Sequence, residues 1–146
     1  MNIHFSRATY RWLKRFEVCS KSLRKIILHL TYKEGIPTNN NLFIHIMHNG
    51  INSEYDIIGN KIRVGIDISK TSSKDRIVKR MVRNLLHELR HFIQYKIQKR
   101  KPEFTYSYRD MLYRTNKYWN APEERDARKY ERKKLSLAMK YLERIK

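Results

Sequence analysis

The chain has 146 residues, enough for one domain with its own core, and about 40% of them are hydrophobic, which excludes wholesale disorder. Its formal net charge is +19, from 33 Lys and Arg against 14 Asp and Glu. Such a surplus draws polyanions: nucleic acid, ribosomes, acidic proteins or an anionic membrane surface. The single cysteine, Cys19, excludes an internal disulfide and a Cys-x-x-Cys metal pair, and suits a reducing compartment, most simply a cytoplasm.

Residues 1–20 carry Arg7, Arg11, Lys14, Arg15 and Glu17, so no uninterrupted apolar stretch suits a signal sequence. No segment approaches the roughly 18 apolar residues of a membrane span. Residues 1–6 read as a short strand or a frayed end. Over residues 8–30, Trp12, Leu13, Phe16, Leu23, Ile26, Ile27 and Leu30 recur at helical spacing, which predicts one helix with Cys19 packed inside it. Gly35 and Pro37 end it, and Thr38 to Asn41 form a turn. Leu42 to His48 alternates like a strand. Tyr55 to Ile58, Gly59-Asn60 and Lys61 to Ser69 read as a hairpin, with Ile62, Val64, Ile66 and Ile68 on its buried side.

Ser72 is the expected cap of a long helix running to about Arg100, stopped by Lys101-Pro102. Residues 103–120 are aromatic and irregular, with a short helix expected around 108–117. Asn120-Ala121-Pro122-Glu123-Glu124 looks like the start of a last helix. There is no internal repeat and no domain linker. The order predicts a single α+β domain spanning 1–146: a small antiparallel or mixed sheet packed on a long central helix, with N- and C-terminal helices.

That central helix carries His87-Glu88-Leu89-Arg90-His91. Residues i and i+4 share one helical face, roughly 5–6 Å apart, so His87 and His91 can bind one metal ion through two imidazoles. Neutral imidazole suits Zn²⁺, and Glu88 stands where a carboxylate can hold a water and accept its proton. Ile77, Val78, Met81, Val82, Leu85, Leu86, Leu89, Ile93 and Ile97 make a wide apolar stripe, and both histidines point nearly opposite its centre. They line either a solvated face or a cleft covered by another element. A catalytic zinc also needs a third protein ligand and an open position. No histidine follows His91, which leaves carboxylates. Glu124 shares the inward face of the last helix with Ala127, Leu135, Ala138 and Leu142 and is the first choice. Glu123, on an adjoining face with Tyr130, Lys134 and Tyr141, is the second. Glu131 lies on the Glu124 face and would orient a ligand histidine from behind.

His-Glu-x-x-His followed by a glutamate on a later helix resembles the gluzincin pattern. The run Asn120 to Arg128 is similar to the third-ligand helix of small phage and bacterial zincins, whose Pro-x-Glu-x-acidic-Ala sequence maps its glutamate onto Glu124. The helix-and-sheet order resembles the minimal zincin core of SprT-like and ImmA/IrrE-like domains. Larger gluzincins carry Asp four residues after the ligand Glu, where this chain has Arg128, and SprT-like proteins use a third histidine that this chain lacks. The resemblance implies a zinc-dependent peptidase: the ion polarises the scissile carbonyl and Glu88 activates water. The strand at 61–69 would hold an extended protein substrate by backbone pairing, and Tyr118, or else Tyr113 or Tyr106, would stabilise the oxyanion.

The last helix is dense in cations: Arg125, Arg128, Lys129, Arg132, Lys133 and Lys134. Tyr106, Tyr108, Arg109, Tyr113, Arg114, Lys117, Tyr118 and Trp119 interleave rings and charges, a mixture that can stack bases and neutralise phosphates. A nucleic-acid or acidic protein partner is therefore expected, either recruiting the peptidase or, in the competing reading, bound by a basic protein without proteolysis. No RNP motif, zinc finger or helix-turn-helix pattern is present.

Overall fold

The structure is a computed structural model and describes residues 1–48, 52–66, 73–98 and 120–144. Its elements are β1 (Asn2–Phe5), α1 (Arg7–Arg15), α2 (Ser20–Lys33), β2 (Asn41–His48), β3 (Glu54–Asp56), β4 (Lys61–Ile66), α3 (Lys74–Gln98) and α4 (Pro122–Arg144). The class is α+β, with a four-stranded mixed sheet in the order β1-β2-β4-β3. The first three of these neighbours run parallel and β3 pairs antiparallel with β4.

The first six residues contain a true strand. Ile3 and Phe5 are buried while Asn2 and His4 face out, so the period of two selects one face for the core. β1 is shorter than β2, which leaves β2 backbone groups without a strand partner. Thr9, fully buried on α1, fills the gap: its hydroxyl donates to the Ile44 carbonyl (3.2 Å) and accepts from the Ile46 N–H (2.9 Å). Ser6 caps α1 by accepting from the Thr9 N–H.

The expected single helix over 8–30 is two helices. The Val18 N–H reaches the Leu13 carbonyl (2.8 Å) and the Glu17 N–H reaches the Lys14 carbonyl (3.2 Å), with Glu17 left-handed at φ 58°. This is a Schellman ending in which Glu occupies the place usually held by Gly. Cys19 accordingly sits at the N-cap of α2, half-buried, rather than inside a helix. α2 ends by the same device, and here Gly35 at φ 78° takes the left-handed position, with Ile36 bonded to the Thr31 carbonyl.

Leu42, Ile44 and Ile46 of β2 and Ile62, Val64 and Ile66 of β4 turn into the core; Phe43 stays 42% exposed on the other face. α3 crosses β4 and β3, and α4 lies along α3 and touches α2. Ser73 stands just before α3, its hydroxyl accepting from the Arg76 N–H (3.3 Å); the expected cap Ser72 lies outside the described residues. From Leu85 to Gln94 α3 is enclosed on nearly every side, and Phe92, two turns after Leu85 on the side of the apolar stripe, is fully buried against Tyr55. Ile97, counted in that stripe, is instead exposed. Ile68, the strand beyond Ile66 and the expected helix at 108–117 lie outside the described residues. Among the described residues no helix is long and apolar enough to cross a membrane.

Replacing Glu17 by Gly removes the left-handed strain of a residue with a Cβ, while the exposed Glu17–Lys74 pair it sacrifices (3.6 Å) is worth little. The variant is expected to be more stable by about 1 kcal/mol. Urea unfolding of the two proteins measures this, and a lower midpoint for the variant would show that the turn is not strained.

Candidate metal centre

Three side chains from two helices converge on one point. His87 and His91, one turn apart on α3, present Nε2 atoms to the two oxygens of Glu124 on α4: His87 Nε2 to Oε2 at 2.9 Å and His91 Nε2 to Oε1 at 3.0 Å. The rings stand 5.0 Å apart at 74°. One ligand atom from each residue lies within 4.8 Å of the others. Glu124 and His91 are buried and His87 nearly so, which makes the face opposite the apolar stripe a helix–helix interface. The apolar stripe takes α3 to the sheet, and α4 covers the opposite side with Ala127, Leu135, Ala138 and Leu142 turned inward.

The outer nitrogen of each ring also has a partner. Glu131 Oε1 lies 3.7 Å from His87 Nδ1, so the carboxylate behind His87 comes from Glu131 and not from position 128. Gln94 Oε1 lies 2.9 Å from His91 Nδ1. Gln94 is itself held by the Glu123 carbonyl (3.0 Å) and by Asp126 Oδ2 (2.7 Å). Asp126 accepts from Arg90 Nε (2.7 Å), and Arg90 also meets Glu34 at 3.3 Å and lies over the Tyr130 ring.

The donor set fits a metal ion: two imidazoles and one carboxylate are the ligand types of a zinc site with one position open. His91 Nε2 is buried and makes no hydrogen bond among the described residues, although a carboxylate oxygen faces it. Glu88 is also buried, and its Oε2 has no hydrogen-bond partner among the described residues. Such orphaned atoms are costly unless something else meets them.

Glu123 stays outside this cluster; it is half-buried and contributes its backbone carbonyl to Gln94. Tyr118, Tyr113 and Tyr106 lie outside the described residues. The expected substrate pairing along 61–69 is closed over its described part. β4 is an inner strand, and beyond β3 its Gly65 N–H goes to Ser53 Oγ (2.9 Å) while its carbonyl accepts from Asn84 (3.0 Å). The sequence alone assigns no supporting role to Gln94, Asp126 or Arg90. The signal available was weak: Gln94 falls one turn after His91 on the same face, and Arg90 is a charged residue inside an otherwise enclosed motif.

No family model, no curated protein and no solved structure matches the chain.

Without an ion the cluster is an ion pair. Burial opposes the charged form of His87, but Glu124 and Glu131 outweigh it and raise its pKa from 6.5 to about 10. Burial likewise opposes ionised Glu124, and His87 and His91 outweigh it to hold the carboxyl far below its ordinary 4.5. The raised histidine stabilises the fold fully below pH 6.5 and loses that contribution as pH climbs through about 10. The depressed carboxyl contributes above 4.5 and fades as pH falls through its lowered value. Chelator-treated protein is therefore expected to lose resistance to urea between pH 6.5 and 10. Glu124→Gln should shrink that loss; an equal slope in the variant would show that the pair does not govern it.

Proposed function

We propose that the chain is a zinc-dependent metallopeptidase of the gluzincin-like zincin type, working in a cytoplasm on a protein substrate. The observation that carries this reading is the convergence of His87, His91 and Glu124 on one point, on the helix that also carries a buried Glu88 whose Oε2 has no hydrogen-bond partner among the described residues. His87, His91 and Glu124 would hold the ion, which supplies a Lewis acid for the scissile carbonyl. Glu88 Oε2 accepts a proton from the attacking water as its oxygen bonds to the carbonyl carbon. The same carboxyl then gives that proton to the amide nitrogen as the C–N bond breaks. Tyr118, close in sequence to the third ligand, is the oxyanion donor in this reading. Burial of His91 and Glu124 between α3 and α4 strengthens their electrostatic contacts.

The test begins with zinc content and a competition titration. Glu124→Gln is expected to weaken zinc binding strongly, and Glu123→Gln to change it little. Glu88→Gln should keep zinc and lower hydrolysis of a labelled unfolded protein by about 100- to 10,000-fold. Zinc held with no Glu88-dependent cleavage would sink the peptidase, and absence of zinc would sink the site.

One observation favours the second reading, a basic protein on the same scaffold that binds nucleic acid or ribosomes without proteolysis. Arg125, Lys129, Arg132, Lys133 and Lys140 are all exposed on the outer face of α4, and no carboxylate joins that face before Glu143. A partner held by charge alone suits such a stripe, because Leu137 is the only large exposed apolar side chain along α4. Reversing Lys129, Arg132 and Lys133 to Glu should weaken binding to a DNA or RNA duplex by well over tenfold and flatten its salt dependence. The same reversal at Lys79, Arg80 and Arg83 of α3 serves as the control. Equal losses in both would mean that net charge acts without a surface.

A further inference from the structure

The most constrained polar side chain around the cluster is one that would not touch the ion. Gln94 is 2% exposed, and both ends of its amide are engaged. One end meets the Glu123 carbonyl and Asp126 Oδ2. A backbone carbonyl can only accept, and Asp126, already accepting from Arg90, is an ionised carboxylate. That end of Gln94 must therefore be the NH₂, which settles the amide orientation through its partners. The other end is then a carbonyl oxygen, which cannot donate. It lies 2.9 Å from His91 Nδ1, so Nδ1 must carry the proton. In the neutral ring this leaves Nε2 as a bare lone pair. Nε2 is the atom that faces Glu124 Oε1 at 3.0 Å without a hydrogen bond. That nitrogen is the ring atom turned toward the point where His87 and Glu124 converge.

We infer that Gln94 is a positioning residue for the metal centre: clamped by Asp126 and the Glu123 carbonyl, it fixes His91 in the Nδ1–H tautomer and aims Nε2 at the ion. The inference rests on the reading of His87, His91 and Glu124 as a metal site. It assigns unlike supports to the two ligand histidines. His87 is backed by a carboxylate, Glu131, at ion-pair distance; His91 is backed by a neutral amide whose orientation is enforced from α4. The clamp runs on through Arg90 to Glu34 at the end of α2, so three helices share in fixing one imidazole. It also makes Arg90, inside the motif, a strut for its own neighbour His91.

Gln94→Met keeps the length and approximate volume of the side chain and removes both hydrogen-bonding ends. Zinc affinity, measured by competition with a chromophoric chelator, is expected to fall 10- to 100-fold. The metal-free fold is followed separately by thermal melting in chelator. In the wild-type protein loaded with ¹¹³Cd, histidine ¹⁵N spectra should show His91 bound through Nε2 with its proton on Nδ1. In the variant that proton should lose its protection from exchange. Cadmium bound to His91 Nδ1 in the wild type overturns the inference whether or not the variant folds. So does a folded variant whose zinc affinity lies within twofold of wild type. A wild-type protein that binds neither ion overturns the site reading itself, a separate result from the other two.

Discussion

Everything in this fold that bears on chemistry depends on one docking contact, that of Glu124 on α4 against two imidazoles of α3. Placing His91, Glu88, Gln94 and Glu124 at 8% exposure or less is expensive, because each polar atom gives up water. The cost is offset only if every donor meets an acceptor. The interface achieves this outward from the centre: Glu131 behind His87, Gln94 behind His91, Asp126 behind Gln94 and Arg90 behind Asp126. At the centre the offset is incomplete, since Glu88 Oε2 and His91 Nε2 are left over. An interface built for stability alone would fill that place with apolar side chains, as α3 does on its sheet side.

The rest of the molecule holds α3 still. Its apolar stripe is pinned on β4 and β3, whose Ile62, Val64 and Tyr55 are buried, with Tyr55 set edge-on against Phe92 of α3. The sheet stays in register because β2 is paired along both edges, by β1 and β4, and by Thr9 where β1 runs out. The break between α1 and α2 lets α1 close that edge of β2 while α2 turns back to bring Glu34 to Arg90. A continuous helix over 8–30 would serve only one of these contacts. The two-helix arrangement thus couples the sheet edge to the far side of the His87–His91–Glu124 cluster.

What sequence could disclose follows from the range of the interactions involved. Local periodicity identified β2, the β3–β4 hairpin, α3 and α4, and the wheel of α4 put Glu124 on the face with Ala127 and Leu142 that the structure buries. The helix end at Gly35 was legible because glycine advertises a left-handed residue; the chemically identical ending at Glu17 was not, because nothing in a glutamate signals positive φ. The parallel pairing of β1 with β2 was hidden for another reason, since four residues cannot show a period convincingly. The face of α3 opposite its stripe was legible as polar but not as enclosed. Enclosure came from α4, and no pattern within α3 could announce it.

The same limit explains why His87 and His91 were easy to single out and Gln94 was not. A ligand pair is defined by i and i+4 on one helix, a relation written in the sequence. Gln94 gains its role only through acceptors on another helix, Asp126 and the Glu123 carbonyl, which fix its amide and so the proton of its neighbour. Glu123 and Glu124 divide in the same way: adjacent in sequence, they differ by about 100° on α4, enough to send one carboxylate into the cluster and leave the other's backbone as a support. The ligand set is thus a property of two helices read separately, and the geometry that would make it selective is a property of their contact.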